Sequence, residues 1–205
     1  MEVVLAALLG VGAYLVGSVP SAYIMVRLVS GADLREVGTK NVGALNVFHQ
    51  LGARAGLLVL ALDAAKGALA VAVPLWAGAS DWVLFVTAPL LVAGHNWPVF
   101  LGFRGGKGAA AILGMSLALL PWLTLSALAP AALAALLLRN VVLGSAFGFV
   151  LLNSLLVATG QGPQMVAICI LLTVLVTATY LFAIREHVTV SVRSRQWRHL
   201  FLGMA

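Results

Sequence analysis

The chain has 205 residues, of which 62% are hydrophobic and only 9% charged, and its mean hydropathy is +1.09. Soluble domains carry roughly 25% charged residues, so this composition excludes a water-soluble globular protein and points to an integral membrane bundle. Twelve Lys and Arg against six Asp and Glu leave a net charge of +6. The basic residues fall in short breaks between apolar runs, which speaks for orientation in a bilayer and against a nucleic acid partner.

The first apolar run, 3–28, lies in an N-terminus, MEVVLAALLG, that lacks a basic region. It is therefore expected to be a full span and residue 1 the start of the mature chain, with no cleaved signal. Crossing the hydrocarbon core takes about 20 apolar residues, and further spans are expected near 55–77, 82–101, 109–120, 122–138, 140–160 and 164–184. The run at 109–120 is short, since its length corresponds to a rise of only about 18 Å. Pro121 follows it, so 109–138 is either one long kinked helix or a hairpin turning at Pro121-Trp122.

Charge favours the hairpin. Seven spans put Arg27, Arg35, Lys40, Arg54, Arg104, Lys107, Arg139, Arg185, Arg193, Arg195 and Arg198 on one side, eleven of the twelve basic residues. The other side then shows only Glu2 and Asp81. The positive-inside rule places the N-terminus outside and the C-terminus in the cytoplasm. The expected fold is all-α, a polytopic seven-span transmembrane bundle forming a single domain over 1–205. Runs such as LALDAAKGALAVAV supply small residues for close helix approach in lipid.

Three polar segments interrupt this apolar chain on the same expected side. The first, SGADLREVGTKNVGALNVFHQLGAR, gathers Asp33, Arg35, Thr39, Lys40, Asn41, Asn46 and His49 around Gly38 and Gly43. Glycine turns aim backbone N–H groups at a ligand, and Arg and Lys add charge, a combination suited to phosphate or carboxylate. An ordinary solvated loop is the alternative. The second, GHNWPVFLGFRGGKG at 94–108, holds His95, Arg104, Gly105, Gly106 and Lys107 directly before an apolar helix starting at Ala109. A helix N-terminus offers unpaired N–H groups and the positive end of its dipole. It is not a Walker A loop, since Leu101 and Gly108 break that pattern. Contact with anionic lipid head groups is the competing reading. The third is the tail REHVTVSVRSRQWRHL, carrying His187 and Arg193.

Within the second span Asp63 and Lys66 share one helical face. Charges at membrane depth are costly and face a bundle interior, so a bracing role fits the pair best. Cys169 sits deep in an apolar run without a partner and suits neither a disulfide nor a nucleophile.

The segments GSVPSAY at 17–23, DLREVGTKNVGALN at 33–46, LDAAKG at 62–67 and GHNWPVFLGFRGGKG at 94–108 resemble, in order, those of the bacterial acyl-phosphate:glycerol-3-phosphate acyltransferases. The resemblance implies transfer of a fatty acyl group from acyl phosphate to the 1-hydroxyl of glycerol 3-phosphate, giving lysophosphatidic acid and phosphate. It implies a plasma-membrane enzyme with a cytoplasmic site, no cofactor, no metal and no obligate protein partner. By the same resemblance Lys107, Gly105 and Gly106 hold phosphate, Thr39 and Asn41 donate hydrogen bonds, and Asn46 orders its loop. Arg35 bridges, Lys40, Arg104 and Arg193 add cationic contacts, and His95 and His187 are candidate proton handlers. The family pattern has an Arg where this chain has His49 and an Asn where it has Val190. These differences motivate a second reading, a non-catalytic or altered-substrate paralogue that binds a phosphorylated lipid or metabolite. A small transporter is a third, disfavoured because no inverted repeat is visible.

Overall fold

A computed structural model describes the backbone of residues 1–194 and the side chains of residues 1–182. Every described regular element is helical, and the chain forms two compact units, Met1–Leu119 and Leu120–Ala205. The first unit contains α1 (Glu2–Ser18), α2 (Ser21–Ser30), α3 (Ala44–Leu51), α4 (Ala53–Trp76), α5 (Leu84–Asn96) and α6 (Ala109–Leu119). Short 3-10 turns at Asp81–Val83 and Val99–Leu101 flank α5.

The expected first span is two helices. Val19 is extended, with φ −66° and ψ 112°, and α2 restarts after Pro20. A proline disfavours the helical region for the residue before it and brings no N–H of its own, so the break falls where the sequence GSVPS puts it. α2 then stops at Gly31, which adopts the left-handed conformation at φ 70°.

Backbones rather than large side chains set the packing of this unit. A Cβ on Gly17 would collide with the Leu91 carbonyl, and one on Gly94 with the Tyr14 carbonyl, so α1 and α5 touch at their main chains. α4 and α6 do the same, with Gly67 on the Ala111 carbonyl and Gly114 on that of Ala64. Close approach of this kind is the main source of helix association where lipid offers no hydrophobic gain. Beneath the 31–43 segment a small apolar cluster of Ala22, Val26, Leu34, Val42, Val47, Val59 and Leu101 anchors that loop to α2, α3 and α4.

The second unit comprises α7 (Pro121–Leu138), α8 (Val141–Ala158) and α9 (Pro163–Ser194). Asn140 caps α8 by accepting the Leu143 N–H at 3.0 Å. Gly144 and Gly148 of α8 meet Ala135 and Ala131 of α7, and Asn153 Nδ2 donates to Thr173 Oγ1 of α9 at 2.8 Å.

Among the described residues, six helical segments are long and apolar enough to cross a membrane: 2–30, 53–76, 81–101, 121–138, 141–158 and 163–182. α6 is apolar but shorter. It ends at Leu119; Leu120 leaves the helical region (φ −141°, ψ 62°) and Pro121 opens α7. One long kinked helix over 109–138 is thereby excluded.

Candidate functional site

The 33–46 segment is folded around one side chain. Asn46 is fully buried at the start of α3. Its Nδ2 donates to the carbonyls of Leu34 (3.3 Å), Val37 (3.1 Å) and Asn41 (3.1 Å), and its Oδ1 accepts the Thr39 N–H at 3.2 Å. The loop wraps this amide because Gly38 (φ 57°) and Lys40 (φ 58°) both take left-handed backbone, natural for glycine and less common for lysine. Thr39 and Lys40 are left exposed at the tip, while Asn41 turns back toward Gly43.

Arg35 and Asp33 form a second fixed point, with Nη2 to Oδ2 at 2.6 Å and Nε to Oδ1 at 3.0 Å. The guanidinium holds the Asp33 carboxyl down at about 2, and the carboxylate in turn pushes the Arg35 pKa up. Arg35 also lies over the Tyr23 ring at 5.4 Å and donates to the Leu101 carbonyl at 3.3 Å. It thus ties the first polar segment to the second.

The second segment turns back on the end of α5. Tyr14 of α1 donates to the Trp97 carbonyl at 2.9 Å. Gly105 N–H donates to the Asn96 carbonyl at 3.1 Å and Gly106 N–H to the His95 carbonyl at 3.0 Å. Both glycines are demanded by contact. A Cβ on Gly105 would strike the His95 carbonyl, and one on Gly106 would strike His95 Nε2 and lie 2.7 Å from the Val42 carbonyl. Their N–H groups are therefore committed inside the protein, and what they contribute at this turn is room. The donors without intrahelical acceptors belong to the first turn of α6, where Ile112 makes the first helical bond to the Gly108 carbonyl.

Lys107 stands at the head of α6, half-buried, and burial pushes its pKa below the ordinary lysine value. Arg104 is exposed and lies 3.7 Å from Glu36, a surface pair of small energetic weight. His95 is nine-tenths buried, and the adjacent Asn96 carboxamide, lying against Gly108, meets no hydrogen-bond partner.

The fold therefore brings the Thr39-Lys40-Asn41 and Gly105-Gly106-Lys107 turns to one end of the first unit, in contact through Val42 and Gly106 and bridged by Arg35. His187 and Arg193 follow residue 182, so their side chains lie outside the described residues. Sequence reasoning assigned Asp63 and Lys66 to bracing but did not place them at the site. They line one cleft with His95, Pro98, Gly105 and the break at Val19-Pro20. The signal available was Pro20 interrupting a run whose uniform hydrophobicity reads as one helix.

A family model described as glycerol-3-phosphate acyltransferase matches residues 7–189. Glycerol-3-phosphate acyltransferase 2 of Dehalococcoides mccartyi is 46% identical over 111 residues, 54% of this chain and 53% of that protein. The glycerol-3-phosphate acyltransferase of Clostridioides difficile is 40% identical over 153 residues, 72% of this chain and 75% of that one. The chain thus spans about half the length of the Dehalococcoides relative. A crystal structure of PlsY (YgiH), described as an integral membrane glycerol 3-phosphate acyltransferase in its glycerol 3-phosphate form, superposes with TM-score 0.80 at 33% identity, covering 97% of this chain and 93% of that one. The likeness runs almost end to end and includes the apolar helices of a multi-pass membrane protein. With the family match reaching from α1 into α9, the chain belongs to the glycerol-3-phosphate acyltransferase family.

Proposed function

We propose that the chain transfers a fatty acyl group from acyl phosphate to the 1-hydroxyl of glycerol 3-phosphate, yielding lysophosphatidic acid and inorganic phosphate. The hydroxyl oxygen attacks the acyl carbonyl, an ester C–O bond forms, and the mixed-anhydride C–O bond breaks. Phosphate leaves, and the hydroxyl proton passes to it or to a neighbouring base. Because the donor is already activated, the protein has to supply positioning and charge stabilisation. A covalent nucleophile is not needed.

The observation that carries this reading is the meeting of two cation-bearing turns against buried His95. Two phosphorylated substrates need concentrated positive charge and N–H donors at the edge of an apolar bundle. Lys107 and the head of α6 hold a phosphoryl group, and Gly105 and Gly106 let the turn that carries Lys107 pack tightly on His95 and Val42. Thr39, Lys40 and Asn41 present donors from the facing tip, and Arg35 and Asn46 keep that tip in place. His95 is a proton handler of this unit. The whole chain acts as one acyltransferase with seven crossings, α6 supplying the short fourth. Its N-terminus lies outside, and its site faces the cytoplasm of a bacterial plasma membrane.

The test is purified protein in detergent with acyl phosphate and glycerol 3-phosphate, following phosphate and lysophosphatidic acid together. Lys107→Ala should lose about 100- to 1,000-fold in rate, the scale of a lost oxyanion donor. Equal rates in the two proteins remove Lys107 from the site. Binding of both substrates without product would favour the non-catalytic reading.

A further inference from the structure

The Asp63–Lys66 pair does more than its ion-pair geometry requires. Lys66 Nζ lies 2.7 Å from Asp63 Oδ1 and donates to the Val19 carbonyl at 2.7 Å. Asp63 is 1% exposed and Lys66 8%. The Val19 carbonyl lies where α1 stops and also accepts the Ser21 N–H at 3.1 Å; in an uninterrupted helix it would accept the N–H four residues on. The ammonium thus binds at the point where the chain changes direction. His95, Pro98 and Gly105 line the same cleft.

Stability alone does not account for two buried charges. Desolvation offsets most of what such a pair gains, and well-packed apolar replacements are often neutral or stabilising. Nor is the pair required to hold α1 on α5, since the Gly17 and Gly94 backbone contacts and the Tyr14–Trp97 hydrogen bond do that. What Lys66 adds to the local backbone bonds of the break is a tie to α4, at a wall of the cleft that His95 and Gly105 also line.

We propose that Asp63 and Lys66 are positioning residues of the transfer reaction. Lys66 clamps the α1–α2 break through the Val19 carbonyl, Asp63 holds the ammonium in place, and the break sets the cleft wall against which His95 and the Gly105-Gly106-Lys107 turn are aligned. This rests on the acyltransferase reading given above. Removal of the clamp shifts one wall of the cleft that His95 and Gly105 also line, and misplacement on the ångström scale costs about 100-fold in rate.

The experiment uses the full chain in detergent, with melting temperature and steady-state kinetics on acyl phosphate and glycerol 3-phosphate measured for each variant. The double variant Asp63→Leu/Lys66→Met removes both charges at similar volume. It should melt no lower than the wild type, lose about 10- to 100-fold in kcat, and keep its KM for glycerol 3-phosphate within about threefold. Lys66→Arg keeps the charge balance, but its planar guanidinium cannot take the place of an ammonium between the two oxygens. It should melt like the wild type and lose kcat by about tenfold or more. If the double variant melts lower, Lys66→Arg decides the matter. Wild-type kcat in a folded double variant, or in Lys66→Arg, overturns the proposal and leaves the pair as packing alone. A wild-type protein that transfers no acyl group at all overturns the acyltransferase reading first, and this inference with it.

Discussion

Replacing Asn46 by alanine removes the side chain around which the 33–46 segment is folded. Three backbone carbonyls lose their Nδ2 donor, and the Thr39 N–H loses its acceptor. One NH2 group has two hydrogens, so the three carbonyls share them and the bonds count as fewer than four full ones. At about 1 kcal/mol net for each of roughly three bonds, the ordered loop loses about 3 kcal/mol. Helix packing among α1, α4, α5 and α6 does not involve Asn46, so the cost falls on the loop and the protein stays folded. If the ordered loop is what the substrate meets, kcat/KM falls by about 100-fold, since 1.4 kcal/mol is a factor of ten. Asn46→Asp refines the test. It keeps the acceptor for Thr39 but sets a carboxylate against three carbonyl oxygens, so it should be at least as damaging as alanine. The assay is phosphate release at limiting glycerol 3-phosphate, with circular dichroism as the control for folding. An Asn46→Ala variant within threefold of the wild type, or an active Asn46→Asp, would refute the argument that this amide organises the site.

Gly106→Ala brings a methyl group onto the Val42 carbonyl and the His95 ring, and overpacking of this kind costs about 1–3 kcal/mol. Transfer activity should drop at least tenfold, and an alanine variant with normal turnover would show that the turn can yield. Asn96→Leu removes a buried carboxamide that lacks partners. It should raise the melting temperature, since an orphaned buried polar group costs about 1–3 kcal/mol; a lower melting temperature would mean that the amide is satisfied in solution. For Lys107, burial disfavours the charged form. That cost is present below its folded pKa and disappears as pH rises through it, so the ammonium is lost at lower pH than in a free lysine. The alkaline limb of kcat/KM against pH should move upward in Lys107→Arg, and an unmoved limb would assign the titration to another group.

Much of the fold was legible because lipid imposes a length rule. Apolar runs of about 20 residues can hardly be anything but spans, and the helices recovered at 53–76, 141–158 and 163–182 follow the expected ones closely. The break at Val19-Pro20 was not foreseen, because hydropathy is blind to backbone direction and the residues on both sides are equally apolar. Short α6 was visible as an anomaly, and Pro121 marked its end. At the site, residue types raised the expectation of an anion pocket but did not say which group spends which hydrogen bond. The resemblance assigned Gly105 and Gly106 to holding phosphate, whereas their N–H groups bind the Asn96 and His95 carbonyls. That pairing depends on how α5 ends, a tertiary fact that no local pattern encodes. Asn46 was read as ordering its loop, which its buried amide does through four backbone groups. Lys66 could be matched to Asp63 by spacing alone, but its bond to Val19 spans 47 residues.

The paired glycine contacts between α4 and α6 have a mechanical consequence. Gly67 rests on Ala111 and Gly114 rests on Ala64, so two rods touch at two points, each with a notch receiving the other. A single point of touch would leave one rod free to roll or slide; two points remove both freedoms. The head of α6 thereby inherits the stiffness of a 24-residue partner through backbone contact. Filling either notch with one methyl would push the whole rod away, which makes these two glycines the calibration screws for where the head of α6 stands.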